Sequence, residues 1–120
     1  LADLVHRWGY REELLGQSGQ SGGGAVIAPK DADSTEALRE MLPNTPWLVP
    51  GYGAQGATAD GCRPCFFPDG TGAVINASRS VIYAFSKGDY AARFGDDWTG
   101  AVAAAARAFA DDVAVLLQPA

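Results

Sequence analysis

Two adjacent polar residues, Ser78 and Arg79, come directly after an apolar run in the segment GAVINASRS (72–80). An arginine guanidinium can donate two parallel hydrogen bonds to phosphate oxygens. If SRS opens a helix just after a strand, free backbone N–H groups at the helix start add further donors for an anion. Ser78 and Arg79 are therefore predicted to bind a phosphate group, with a surface salt bridge as the alternative role for Arg79.

A glycine-rich segment, PGYGAQG (50–56), follows another apolar run. Glycine weakens regular structure by about 0.5–1 kcal/mol relative to alanine, so this cluster needs a compensating use. Gly51 and Gly53 would let the backbone approach a ligand closely, and Gln55 could donate its side-chain amide to the same anion. The alternative for Gln55 is a solvated loop residue.

Catalytic chemistry has little support in the residues themselves. Lys30, Asp31 and Asp33 are of catalytic type, but the two aspartates are better suited to starting the helix that follows. The only histidine is His6, and no serine or cysteine can be assigned to it as a nucleophile. We therefore predict no catalytic residue in this chain.

The two cysteines, Cys62 and Cys65, form a single CRPC. A zinc site would need two more ligands, and a redox pair should open a helix after a strand, which the proline-rich CRPCFFPDG does not fit. We predict reduced, structural cysteines, no bound metal and a cytosolic location.

The pattern of apolar residues predicts an alternation of helices and strands. Continuous apolar runs of the kind found in strands covered on both faces occur at 24–29, 47–50 and 72–77. Helical spacing and helix stop signals predict helices at 1–15, 31–44, 78–86 and 90–117, the last with a possible interruption at Gly95. Residues 16–24 are predicted to be a linker, and residues 57–68 an irregular helix or loop.

Strands separated by about 23–26 residues with helices between them predict a parallel α/β sheet. Three such units are too few for an eight-stranded barrel, which needs about 250 residues, but they suit its last three strands. In such folds ligands bind at the carboxyl ends of the strands, which is where 50–56 and 76–80 would lie.

Composition excludes several classes of protein. The net charge of −5 argues against general affinity for nucleic acid, which needs a basic face. No apolar run approaches the ~20 residues of a membrane span. The chain begins with Leu1 rather than methionine, which suggests a piece of a longer protein.

Two motifs in order, LVPGYGAQG (48–56) and INASRSVIYA (75–84), resemble the seventh and eighth strands of orotidine 5′-phosphate decarboxylase, and most closely its longer bacterial subgroup. The preceding GAVIAPKDADSTEALREMLPNTPWLVP is similar to the sixth strand and its helix. The family more usually has a sequence like GAVVGAT at the end of this strand, where this chain has GAVIAPK. The resemblance extends from about Leu1 to Phe85, with the tail as the closing helix.

The resemblance implies the C-terminal part, about strands six to eight, of a (β/α)₈ barrel that forms a homodimer with active sites near the dimer interface. The implied reaction is the cofactor-free loss of CO₂ from orotidine 5′-phosphate (OMP) to give UMP in pyrimidine synthesis. By motif, Gln55 and Arg79, with the backbone N–H groups of Ser78 and Arg79, would hold the phosphate. The residues expected to shape the wall beside the ribose and base are Pro50, Gly51 and Gly53.

The family's catalytic D-x-K-x-x-D motif, which lies on earlier strands, is absent from this chain. Lys30 and Asp33 give a K-x-x-D in the wrong place. The chain alone is therefore expected to be inactive and to pair with the missing part of the barrel or with itself. The alternatives are another sugar-phosphate barrel enzyme and a non-catalytic phosphate-binding α/β module.

Overall fold

The computed structural model describes residues 1–52 and 59–117, without the side chains of residues 59 and 60. Within these ranges the strands are β1 (Ala25–Val26), β2 (Trp47–Val49) and β3 (Ala73–Ile75). The α-helices of the same ranges are α1 (Ala2–Gly9), α2 (Ala32–Met41), α3 (Ala59–Cys62), α4 (Ser78–Ile82), α5 (Gly88–Phe94) and α6 (Trp98–Leu116). Short 3₁₀ helices occur at Glu12–Leu14, Arg63–Cys65 and Ala84–Ser86.

The three strands form one parallel sheet in the order β1-β2-β3, as the sequence predicts. Each strand is shorter than its apolar run but lies inside it. A helix stands between each strand and the next, so the α/β class is confirmed. All three strands end at the same edge of the sheet, because parallel strands run in one direction.

The prediction that the strands are covered on both faces is wrong for this chain. Trp47 and Val49 of β2 are fully buried beneath the helices. The neighbouring positions alternate to the other face, and there Val26, Leu48 and Val74 are 70%, 41% and 67% exposed. These three residues lie side by side in the register of the sheet and form an open apolar face.

The core lies between the covered face of the sheet and the helices. Its fully or nearly fully buried members are Leu42, Trp47, Val49, Cys62, Cys65 and Leu116. For α2, helical spacing predicts an inward face of Ala37, Leu38, Met41 and Leu42. Leu38 and Leu42 do turn inward, but Ala37 and Met41 are exposed, and Thr35 and Arg39 complete the inward face.

Arg39 connects three parts of the chain at the amino edge of the sheet. Its guanidinium donates to the carbonyl oxygens of Leu42 (3.1 Å) and Thr45 (2.8 Å), which precede β2. It also donates to the carbonyl oxygens of Cys65 and Gly72 (3.2 Å), which belong to the segment between β2 and β3. The ends of α2, β2 and β3 are therefore held by one side chain.

Aromatic rings cover the Arg39 guanidinium. The guanidinium carbon lies 3.7 Å from the ring centroid of Trp47 and 4.5 Å from that of Phe67, distances typical of cation–π contacts. Burial lowers the pKa of Arg39 to about 10, with Cys65 acting weakly in the opposite direction. The side chain therefore still carries its charge at neutral pH.

Helix α2 begins at Ala32, within the segment 31–44 that the sequence predicts to be helical. Its N-cap is Asp31, whose carboxylate accepts hydrogen bonds from the Ser34 backbone N–H (2.8 Å) and hydroxyl (2.7 Å). Asp33, the other aspartate expected at the helix start, lies inside the first turn. The hydrogen bonds from Ser34 lower the pKa of Asp31, and they commit this carboxylate to starting the helix.

The loop predicted for 16–24 is present, but it is not a free linker. The backbone N–H of Ser21 donates to the carbonyl of Asn44 (2.7 Å), and the Gln20 side chain donates to the Thr71 hydroxyl (2.9 Å). The first helix ends at Gly9 rather than near residue 15. A β-carbon at Gly9 would come within 2.8 Å of the Ser21 hydroxyl oxygen, so the glycine lets the loop pack against the helix.

The two helical segments predicted in the C-terminal half are present, and each is divided into two helices. The helix expected over 78–86 is α4 followed by a 3₁₀ turn. The predicted interruption at Gly95 is confirmed, since Gly95 ends α5 with φ +54°. Asp97 then caps α6 by accepting from the Gly100 backbone N–H (2.9 Å). Over the described ranges, none of the helices has the length and apolar character that crossing a membrane requires.

Gly72→Ala is expected to destabilise the fold strongly. Gly72 has φ +84°, where a side chain is strained, and an added β-carbon would overlap the ring of Phe67. We expect a loss of about 2–4 kcal/mol in the free energy of unfolding, measured by urea denaturation. The matched control is Gly19→Ala, which has a similar φ (+77°) but open space around the new methyl group. Equal losses in the two variants would contradict the overlap with Phe67.

Candidate functional site

A cleft of about 160 Å³ opens at the carboxyl edge of the sheet, between the ends of β2 and β3. The residues that line it are Pro50, Gly51, Tyr52, Asn76, Ala77, Ser78 and Arg79. Six residues were predicted from sequence to bind the substrate or its phosphate, and four of them, Pro50, Gly51, Ser78 and Arg79, thus line one cleft. The other two, Gly53 and Gln55, lie outside the described residues.

The backbones of the two strand ends form the floor of the cleft. The N–H of Asn76 donates to the carbonyl of Val49 (2.8 Å), and the N–H of Tyr52 donates to the carbonyl of Asn76 (3.4 Å). Between them Gly51 has φ +86°, a conformation that glycine adopts without strain. The first glycine of the predicted loop therefore serves a turn that brings the chain back toward β3.

Asn76 holds the start of α4. Its side-chain oxygen accepts from the Ser78 hydroxyl (2.8 Å) and from the Ser78 backbone N–H (3.2 Å). The expectation that the Ser78 N–H is free for an anion is therefore wrong in this arrangement. The sequence offered a signal for this contact, because asparagine commonly bonds the backbone two residues ahead.

Arg79 is exposed at the mouth of the cleft. In the part of the chain that the structure describes, its guanidinium has no salt bridge and no hydrogen bond. The alternative reading of Arg79 as one half of a surface ion pair thus finds no partner among the described residues. The Arg79 side chain is therefore open to solvent beside the cleft.

Tyr52 is a residue of the cleft that sequence reasoning missed. Its hydroxyl donates to the Asp112 carboxylate of α6 (3.0 Å), and its ring lies 5.0 Å from the ring of Phe109. Burial, followed by the contact with Asp112, raises the pKa of Tyr52 to about 12, so the hydroxyl stays protonated and able to donate. The closing helix is therefore joined to the cleft, although its apolar spacing indicated packing alone.

Cys62 and Cys65 are free thiols and fully buried, which agrees with the structural role predicted for them. Burial raises the pKa of the Cys62 thiol. It also raises that of Cys65 to about 11. Thiolates are the reactive form of cysteine, so both side chains are expected to react slowly.

The buried thiols predict a loss of stability in alkaline solution. In the unfolded chain Cys65 ionises near its ordinary pKa of 9.0, whereas in the folded chain it stays protonated up to about 11. The contribution of the buried Cys65 thiol to the free energy of unfolding is complete below about pH 9. It decreases as the pH rises toward about 11, because the unfolded state then binds fewer protons than the folded state. Urea unfolding at about pH 8 and about pH 10.5 should show the decrease, with a smaller decrease in Cys65→Ala. An equal decrease in both proteins would contradict this origin.

The fold and the cleft define a class of protein, namely a parallel α/β unit with a cleft at the carboxyl ends of two adjacent strands, lined in part by Ser78 and Arg79. No protein-family model matches the chain. A protein from Caldicellulosiruptor bescii named orotidine 5′-phosphate decarboxylase is 34% identical over 85 residues, which are 71% of this chain and 27% of that protein. A protein of the same name from Rhodopirellula baltica is 35% identical over 106 residues, 88% of this chain and 34% of that one.

A crystal structure from Toxoplasma gondii, described as an orotidine-monophosphate decarboxylase, has a similar fold. Its TM-score is 0.66 at 23% identity, and the match covers 97% of this chain and 38% of that chain. The resemblance to orotidine 5′-phosphate decarboxylase is thus confirmed, and the α/β fold is like that of this structure. The chain spans about a third of the length of the relatives that it matches.

Proposed function

We propose that this chain is the C-terminal segment, about strands six to eight, of a (β/α)₈ orotidine 5′-phosphate decarboxylase. The complete enzyme would convert OMP to UMP and CO₂ without a cofactor, and this segment would hold the phosphate of the substrate. The observation that carries the proposal is the cleft in which Pro50, Gly51, Ser78 and Arg79 meet. It lies at the carboxyl edge of a parallel sheet, where barrel enzymes bind their substrates.

The exposed guanidinium of Arg79 is the main phosphate ligand in this proposal. It can donate two charge-assisted hydrogen bonds to the phosphate oxygens. Ser78 would act through its hydroxyl after releasing Asn76, or would remain bonded to Asn76 and keep the first turn of α4 in place. Gln55, which follows in the adjoining segment, would add its side-chain amide.

The open apolar face of the sheet supports the proposal that this chain is part of a (β/α)₈ barrel. In a closed barrel one face of each strand is covered by helices and the other fills the interior with branched apolar side chains. Trp47 and Val49 lie on the helix side, whereas Val26, Leu48 and Val74 would lie in the interior. We propose that the remaining barrel strands cover these three residues, since the matched regions are only 27% and 34% of the relatives' lengths.

A further group of exposed apolar side chains supports the homodimer that the resemblance implies. Ile82 and Tyr83 at the end of α4 and Trp98 at the start of α6 are more than half exposed. These residues lie on helices, away from the barrel interior, so closure of the sheet would not cover them. A second copy of the enzyme, in the cytoplasm, is the partner that we propose for this surface.

The chemical step is assigned to residues outside this chain. The chain contains no D-x-K-x-x-D, and the carboxylate of Asp31 is occupied in capping α2. The phosphate lies away from the pyrimidine that loses CO₂. Binding energy from such a remote group can stabilise the transition state of the reacting part, so a phosphate site accelerates a reaction without taking part in it.

The test is an assay of carboxyl-labelled OMP with the protein expressed from its complete reading frame and with residues 1–120 alone. We expect the complete protein to release labelled CO₂ and to form UMP, and the 120-residue chain to release none. Release of CO₂ by the 120-residue chain would overturn the assignment of the catalytic groups. A complete protein that binds UMP without turnover would support a non-catalytic phosphate-binding module, and one that acts on another sugar phosphate would support a different barrel enzyme.

A further inference from the structure

We infer that Tyr52 is a positioning residue for the phosphate cleft, held in place by Asp112 and Phe109 of the closing helix α6. This inference rests on the proposed function, because it concerns the same cleft. It assigns to the C-terminal helix a role in substrate affinity, beyond packing against the sheet.

The argument begins with the backbone of Tyr52. Its N–H donates to the carbonyl of Asn76 (3.4 Å), and its own carbonyl accepts from the Ser80 hydroxyl (3.4 Å). Tyr52 therefore meets both the end of β3 and the first turn of α4, from which Ser78 and Arg79 project. A shift of Tyr52 would change the distance between the two segments that line the cleft, residues 50–52 and residues 76–79.

The side chain of Tyr52 determines where that backbone lies. The hydroxyl reaches Asp112 on α6 (3.0 Å), and the ring packs at 60° against Phe109, one turn earlier on the same helix. A hydrogen bond to a charged carboxylate is stronger than one between neutral groups. These two contacts anchor the strand end to a helix of 19 residues, the longest in the described ranges.

The neighbouring glycine makes such an anchor necessary. Gly51 has φ +86° and gives the chain conformational freedom directly before Tyr52. Without the contact to α6, the strand end could adopt other conformations, and the ligand would have to select the competent one. Affinity falls in proportion to the fraction of molecules in the competent state.

The test compares variants of the protein from the complete reading frame by calorimetric titration with UMP and with uridine, which lacks the phosphate. Tyr52→Phe and Asp112→Ala should each weaken UMP binding by about tenfold, the scale of one charge-assisted hydrogen bond. The double variant should bind UMP no more weakly than either single variant, since both substitutions remove the same hydrogen bond between Tyr52 and Asp112. Asp112→Asn keeps an acceptor for the hydroxyl and should retain most of the affinity. The control is Tyr10→Phe, an exposed tyrosine outside the cleft.

The comparison with uridine separates positioning from general structural damage. Uridine affinity should fall clearly less than UMP affinity in Tyr52→Phe and Asp112→Ala, because uridine has no phosphate to contact Ser78 and Arg79 and would share only the wall formed by Pro50 and Gly51. Equal losses for UMP and uridine, or unchanged UMP affinity in both Tyr52→Phe and Asp112→Ala, would overturn the inference while the phosphate site stands. Failure of the unaltered protein to bind UMP would instead overturn the proposed function, and this inference with it.

Discussion

Arg79→Ala in the complete enzyme is expected to lower kcat/KM for OMP by about 10- to 150-fold. The reason is the loss of hydrogen bonding between a guanidinium and a phosphate, which we set at the scale of one charged hydrogen bond, about 1.5–3 kcal/mol in total. In the described structure the guanidinium has no other partner, so little of this loss should come from a weakened fold. Steady-state kinetics with OMP, together with the affinity for UMP, measure the effect.

The matched control for Arg79 is Arg93→Ala, which removes an arginine from α5, outside the cleft. Arg93→Ala should leave kcat/KM within about twofold of the unaltered enzyme, since an exposed charge distant from the ligand contributes little. Arg79→Lys should be intermediate, because an ammonium group lacks the planar fork of the guanidinium. An Arg79→Ala enzyme with unchanged kcat/KM would reject the phosphate assignment.

Arg39→Ala is expected to produce a large loss of stability, about 3–5 kcal/mol in the free energy of unfolding. It removes the donor for four carbonyl groups and a cation that packs against Trp47. The carbonyls of Leu42 and Gly72 keep backbone partners, the N–H groups of Thr45 and Trp47. Those of Thr45 and Cys65 lose the hydrogen bond that Arg39 donates, at about 1–3 kcal/mol each, with water replacing part of the loss. Urea denaturation followed by the fluorescence of tryptophan measures the change.

Two variants test the origin of this loss. Arg39→Lys keeps the charge but lacks the planar fork that donates to the carbonyls before β2 and to those of Cys65 and Gly72 at once, so we expect it to recover less than half of the stability. Arg7→Ala breaks an exposed ion pair with Asp3 on α1 and should cost about 0.3–0.5 kcal/mol. Full recovery with lysine would show that charge alone, rather than the geometry of the guanidinium, holds the segments together.

The sequence predicted the features that local chemistry determines. The strand positions follow from continuous apolar runs, and parallel pairing follows from the helices between them. The cleft could be predicted because parallel strands end at one edge, which brings the segments after β2 and β3 together. The break at Gly95 was predictable because glycine readily adopts the positive φ that ends a helix and that other residues avoid.

The features that the sequence did not predict depend on contacts between distant residues. The inward face of α2 includes Arg39 because carbonyls and rings from later segments surround a charged side chain. The contact between Tyr52 and Asp112 spans 60 residues, and apolar spacing carries no information on it. The apolar runs indicated cover on both faces of the strands, whereas this chain covers only one, because an apolar run does not show which residues cover it.

The most direct test of the phosphate assignment is a crystal structure of the complete enzyme with UMP bound. We expect the phosphate to lie in the cleft between Gly51 and Ser78, with its oxygens about 2.7–2.9 Å from the guanidinium nitrogens of Arg79. The side chain of Tyr52 should keep its contact with Asp112. A phosphate bound elsewhere, with Arg79 remaining in solvent, would contradict the account.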